Sequence, residues 1–190
     1  PVAAELEARV QFSGAVAAVL VGSEHDEVGA AVEAHGRERP LVQFGDVVVL
    51  ALPFRSVREI LEAQGDLSGK ILLDPSNPVG PDGLVLGHTT SAAEQIAEWA
   101  PGARVVKALN TISADSMAGL YDSRDTAFIA GDDEEALEKV ASLVTDLGFA
   151  TLVAGPLRIA RYLEPLGALW VQLAYRQGLG TAIGFRLERF

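Results

Sequence analysis

The side chains best placed to do chemistry are two asparagines with the same setting. Asn77 lies in Lys70–Gly80 (KILLDPSNPVG) and Asn110 in Arg104–Ile112 (RVVKALNTI). Each follows a short apolar run closed by a turn cluster, the pattern of a strand buried on both faces. A third run, Asp46–Phe54 (DVVVLALPF), ends the same way at Leu52-Pro53. In an open α/β sheet, ligands bind at the carboxyl ends of such strands. Three runs ending in Pro, Asn-Pro and Asn-Thr therefore predict one crevice with three walls. The bland alternative is a turn asparagine that bonds only its own backbone. Asp74 could be a catalytic carboxylate, but an Asp before Pro at a strand end is more simply a turn former. Lys107 could give a proton, yet its side chain is expected to point away from the crevice. His88 sits in a long loop, where a solvated role is the plainer reading. Gly131–Glu135 (GDDEE) is acidic enough for a metal, but lacks spaced oxygen ligands and reads as a helix start. Gly178–Gly184 (GLGTAIG) follows a helix, not a strand, so it lacks the context of a phosphate loop.

The elements that must position these residues follow from the chain in order. Residues 2–10 predict a helix, 15–21 (AVAAVLV) a buried strand, and 26–35 a second helix closed by Gly36. The second strand at 46–54 leads into a helix over 57–64 with Ser56 as its cap and Gly65 as its stop. The third strand, 70–74, opens a loop over 75–88 rich in proline and glycine. A helix from 90 or 91 to about 100 carries a capping box, Ser91 with Glu94. Strands at 105–108, 125–130 and 149–154 enclose a short helix over 113–121 and a longer one over 136–147. From Gly155 onward the pattern becomes one long helical stretch, 157–177, interrupted at Pro165. Alternating strand and helix predicts a doubly wound parallel sheet, α/β in class. The domain reading is 1–154 for the sheet and 155–190 for a helical appendage. The apolar circumference of 159–175 (Leu163, Leu166, Leu169, Trp170, Leu173) predicts burial on more than one side and a homodimer through that helix.

Composition narrows the partners. The 190 residues carry 26 acids against 15 bases, a formal charge of −11. That field repels a phosphate backbone, so nucleic acid is not expected. There is no cysteine, which excludes thiol catalysis, disulfides and thiolate metal sites and fits a cytoplasmic protein. No apolar run reaches the roughly 18–20 residues of a bilayer span, so no membrane partner is expected.

The strings DVVVLALPF, LLDPSNP, PGARVVKALNTI, AGDDEEALEKVASLVTDLGF and AGPLRIARYLEPLGALWVQLAYRQGLG resemble the F420-dependent NADP oxidoreductase family. The resemblance is loose over 2–36 and close over 46–187. It implies a Rossmann fold with a short C-terminal helical segment, and an NAD(P)-dependent oxidoreductase. The implied reaction is hydride transfer between NADP and a deazaflavin, coenzyme F420, or a flavin-type acceptor. By resemblance, Asn110, Ile112 and Ala114 lie by the nicotinamide, and Leu52 and Pro53 flank the cofactor's path. Asn77, Pro78 and Val79 lie by the acceptor, and Ser23 meets the ribose 2′-phosphate. No catalytic dyad and no metal are implied, since hydride transfer between stacked rings needs position more than acid–base help. The sequence departs from the family pattern in three places. The family's first strand and glycine-rich turn are absent from the sequence. Ser23 is followed by Glu24 where NADP binders carry arginine, which leaves NAD possible. Tyr175-Arg176 stands where some members place an arginine. Two rivals remain: a reductase of a small imine or keto substrate, and a non-catalytic dimeric nucleotide-binding module that has lost its glycine loop.

Overall fold

The computed structural model describes residues 16–21, 45–121 and 124–190, the first segment by its backbone alone. The helices expected over 2–10 and 26–35, and Ser23 and Glu24, lie outside the described residues. The apolar runs form a six-stranded sheet of β1 (Val16–Val21), β2 (Val47–Ala51), β3 (Ile71–Asp74), β6 (Arg104–Lys107), β7 (Thr126–Gly131) and β8 (Ala150–Gly155), in that spatial order. The first four are parallel, so the ends of β2, β3 and β6 lie side by side on one edge, as a three-walled crevice requires. The sheet is mostly parallel, as expected for a doubly wound fold, with one antiparallel pair. β7 pairs with β6 in antiparallel fashion, through Val106↔Gly131 and Lys107↔Ala130, and β8 then runs parallel to β7. The Rossmann-like α/β character remains.

Side-chain alternation along the strands splits the core in two. Val48, Leu50, Leu72 and Val105 face α1 (Phe54–Gln64) and α2 (Ala92–Trp99). Val47, Val49, Ile71, Leu73 and Val106 face α4 (Glu134–Asp146). Both faces of β2 and β3 are dry, which is why their sequences read as unbroken apolar runs. Burying each such side chain stabilises the fold by about 1.5–3 kcal/mol before entropy is counted.

Local chemistry sets the helix ends. Ser91 Oγ accepts from Glu94 N–H and donates to the Glu94 carboxylate, completing the expected capping box of α2. Asp133 Oδ1 accepts from Ala136 N–H, so the GDDEE run is a helix cap. α1 starts at Phe54, two residues before the expected Ser56 cap, because Pro53 supplies the entry and no side chain caps it. The long loop after β3 contains a two-residue hairpin, β4 (Val79–Gly80) with β5 (Gly83–Leu84). A short α3 (Ala114–Met117) follows β6. A 3-10 turn, Leu157–Ile159, leads into α5 (Ala160–Val171), which ends in a π-helical turn, Gln172–Arg176. Trp170 of α5 is buried, and its indole N–H donates to Ile183 O, tying back the tail.

Candidate active site at the sheet edge

β3 ends in an Asx turn: Asp74 Oδ1 accepts from Ser76 N–H at 2.8 Å. Two residues beyond β6 stands Leu109, whose φ of 64° is left-handed and strained for a non-glycine residue. These two turns deliver Asn77 and Asn110 to each other. Asn77 Nδ2 donates to Asn110 O at 2.7 Å, and Asn110 Nδ2 donates to Asn77 Oδ1 at 2.9 Å. Asn110 Nδ2 also donates to Leu163 O of α5 at 2.7 Å. Both partners of that nitrogen are pure acceptors, so the amide orientation is fixed. Asn110 Oδ1 is then left buried with no partner, as is Ser76 Oγ.

The structure adds residues that the sequence reading set aside. Lys107 is wholly buried, and its Nζ donates to Asp74 Oδ2 at 2.8 Å and to Ser76 O. Glu164 of α5, also wholly buried, places Oε1 3.1 Å from Lys107 Nζ. The Glu164 carboxylate further accepts from Ala92 N–H at 2.9 Å and Ala93 N–H at 3.1 Å, satisfying the first donors of α2. Burial pushes the Glu164 carboxyl above its usual range, with Lys107 and the two amides pulling the other way. Lys107, expected to point away from the crevice, is enclosed and holds the Asp74–Asn77 turn from within. Asp74 is the turn former it was expected to be and an ion-pair partner as well. Glu164 was absent from the sequence reading. Its signal was a lone acid on the apolar stripe of Ala160, Leu163, Gly167 and Trp170.

The remaining sequence candidates distribute as follows. Leu52, Ile112 and Pro78 are buried, Val79 and Ala114 are exposed, and Pro53 is half-buried as the N-cap of α1. Leu52 and Pro53 share the edge with the asparagine pair, on the neighbouring strand end. Ser23 lies outside the described residues. Val79 stands on the hairpin, paired with Leu84. His88 has a left-handed φ of 58° in the loop before α2. Gly167 was also missed. A methyl group there would sit 2.6 Å from Asn77 Cγ and Nδ2 and closer still to Oδ1, so α5 touches the asparagine pair with bare backbone.

Among the described residues no three acidic or histidine side chains converge as a metal would need, and no helix is long and apolar enough to cross a membrane. No family model matches the chain. It is 35% identical over 122 residues to metalloreductase STEAP3 of Rattus norvegicus, covering 64% of this chain and 25% of the relative. It is 30% identical over 155 residues to the F420-dependent NADP reductase of Methanothermobacter thermautotrophicus, covering 75% of this chain and 66% of the relative. A solved structure of a provisional F420-dependent NADP reductase from Arthrobacter sp. FB24 superposes with a TM-score of 0.72 at 32% identity, covering 78% of this chain and 72% of that one. The chain thus spans a quarter of the rat relative and about two thirds of the archaeal one. Order and spacing of the strand-end motifs, the Rossmann-like sheet and these likenesses agree: the chain belongs to the F420-dependent NADP reductase family.

Proposed function

We propose that this chain is the nicotinamide-binding unit of an oxidoreductase that passes a hydride between NADP and a deazaflavin or flavin-type acceptor. The observation that carries this reading is the Asn77–Asn110 pair, which joins two strand-end turns at the edge where α/β sheets bind ligands. The described residues fit a dinucleotide there: Asn110 Oδ1 and Ser76 Oγ are buried polar atoms still in want of a partner. Asn110, Ile112 and Ala114 hold the nicotinamide side in this reading, with Leu52 and Pro53 along the cofactor's path. Asn77, Pro78 and Val79 form the acceptor side, and Ser23 takes the ribose 2′-phosphate. When bound, NADP supplies or receives the hydride at its nicotinamide ring. The chain's own residues position the rings and exclude water, and none of them needs to move a proton. Lys107 cannot serve the rival imine or keto reduction as a proton donor, because it is enclosed and already paired with two carboxylates. The second segment, 155–190, completes the acceptor wall and carries the homodimer contact, and the protein works in the cytoplasm.

Titration of the full chain with NADPH and with NADH, followed by nicotinamide fluorescence, tests the reading. Tight binding of NADPH supports it, and tight binding of NADH alone moves the cofactor to NAD. Binding of neither would end it.

A further inference from the structure

Helix α3 is a single turn, Ala114–Met117. One turn is unstable by itself, because nucleation fixes several residues for its first hydrogen bond. Beyond it the amides of Ala118, Gly119 and Leu120 bond back to Ala114 O, Ser116 O and Asp115 O. A further hold on this segment comes from far along the chain. Thr181 Oγ1 lies 2.6 Å from Asp115 Oδ2 and 3.3 Å from Tyr121 Oη. A hydroxyl has one proton to give, and an ionised carboxylate only accepts. The Thr181 proton therefore goes to Asp115, and Tyr121 must donate to Thr181. One hydroxyl thus clasps both ends of the segment Asp115–Tyr121.

Thr181 is itself held on both sides. Before it, the amides of Leu179 and Gly180 donate to Leu173 O and Ala174 O of the π-helical turn that ends α5. After it, the irregular tail is gripped three times. The indole N–H of Trp170 donates to Ile183 O, Thr126 N–H of β7 donates to Phe185 O, and Leu187 N–H donates to Thr126 Oγ1. Between these grips Gly184 crosses so close to Asp125 that a methyl group there would overlap the carboxylate. A hydroxyl anchored this way has a fixed place, and the one-turn helix settles against it. We propose that Thr181 is a positioning residue for the cofactor side. Through Asp115 and Tyr121 it sets the path of α3, and with it Ala114, the first residue of that helix. The inference rests on the function proposed above, in which Ala114 borders the nicotinamide. It makes NADPH affinity depend on a tail residue that does not itself touch the cofactor.

Thr181→Val keeps the shape of the side chain and deletes the hydroxyl. Hydrogen exchange of the full chain without cofactor reads the clasp, and titration with NADPH reads its consequence. In Thr181→Val the amides of Ala118, Gly119 and Leu120 are expected to exchange about tenfold faster, and NADPH to bind about tenfold more weakly, as loss of one charge-assisted hydrogen bond allows. The amides of α4 should exchange as before, which shows that the fold is intact. Thr181→Ser keeps the hydroxyl and should restore both values. Tyr121→Phe removes only the outer arm of the clasp and should shift both in the same direction by less. Unchanged exchange in Thr181→Val would overturn the inference. So would faster exchange at unchanged NADPH affinity, or a Thr181→Ser chain that binds NADPH as weakly as Thr181→Val. If the unaltered chain binds no NADPH, the proposed function falls and takes the role of Thr181 with it, whereas equal binding by the unaltered and valine chains removes that role alone.

Discussion

Helices α2 and α5 are joined twice, once in the dry interior and once at the surface. Inside, Glu164 of α5 binds the first amides of α2 and faces Lys107, which in turn holds Asp74. Outside, Arg161 of α5 forms a two-pronged pair with Glu94 of α2. The chemistry is nearly the same, but the environments differ. Side chains of Lys107 and Asp74 have no exposed surface, whereas Arg161 keeps 34% and Glu94 21%. A buried ion group contributes little against a well-packed apolar equivalent, yet loss of one member strands the others without solvent. A surface pair gains little and loses little. The inner junction therefore fixes where α5 sits against the crevice, and the outer one trims the fit.

The sharpest way to break this comparison is Lys107→Met. It leaves Asp74 and Glu164 enclosed without a cation, and a loss of about 3–5 kcal/mol in urea unfolding is expected. A loss under 1 kcal/mol would mean that the cluster is wetter than its burial indicates. Gly167→Ala is expected to act more on turnover than on folding. The added methyl displaces Asn77, whose amide is tied at both ends. Overpacking of this kind costs about 1–3 kcal/mol. The displaced wall should lower kcat/KM for the acceptor by up to roughly 100-fold, with NADPH affinity measured by titration changing far less. Equal losses for both would relocate Asn77 to the cofactor side.

Smaller effects come from acid. The Arg161 guanidinium beside Glu94, with help from Ser91, holds the Glu94 carboxyl below its usual 4.5. A carboxyl lowered on folding contributes stability above 4.5, and this is lost as the pH falls through the folded value. The exposed pair should contribute no more than about 1 kcal/mol. Thermal melts between pH 3 and 7 should show Glu94→Gln flattening the acid limb slightly and more so at low salt. Glu164 has the opposite sign. Its raised carboxyl favours the fold below 4.5, and that advantage fades as the pH climbs through the folded value. In Glu164→Gln, which keeps the shape, the decline above pH 4.5 should vanish from the same melts. A slope unchanged by that substitution would assign the decline to other groups.

Much of the fold was legible because burial on both faces leaves an unmistakable mark: the runs VVVLA, ILLD and RVVK contain nothing that water would prefer except their ends. The capping box at Ser91 and the acidic start of α4 were equally plain, since a cap is a local event. The antiparallel turn of β7 was not legible. Strand direction depends on where α3 and the loop after it carry the chain, and neither leaves a periodic trace. At the site, the asparagines could be found by their shared position after strands. Their mutual hydrogen bonds could not, because those depend on the strained backbone of Leu109 and on the neighbouring register of β3 and β6. Lys107 read as a strand residue facing away from the crevice, and Glu164 drew no reading at all. They become intelligible only as a pair brought together over 57 residues of chain.

The π-helical turn at Gln172–Arg176 has a mechanical consequence. One surplus residue in a helical turn rotates everything beyond it, and here Arg176 donates to Pro81 O at the tip of the hairpin. The same helical rod meets Asn77 at Gly167, ahead of the hairpin's first strand. The hairpin is thus held at base and tip by one lever. Lifting it to open the proposed acceptor side would require the rod to roll, so that both grips let go together.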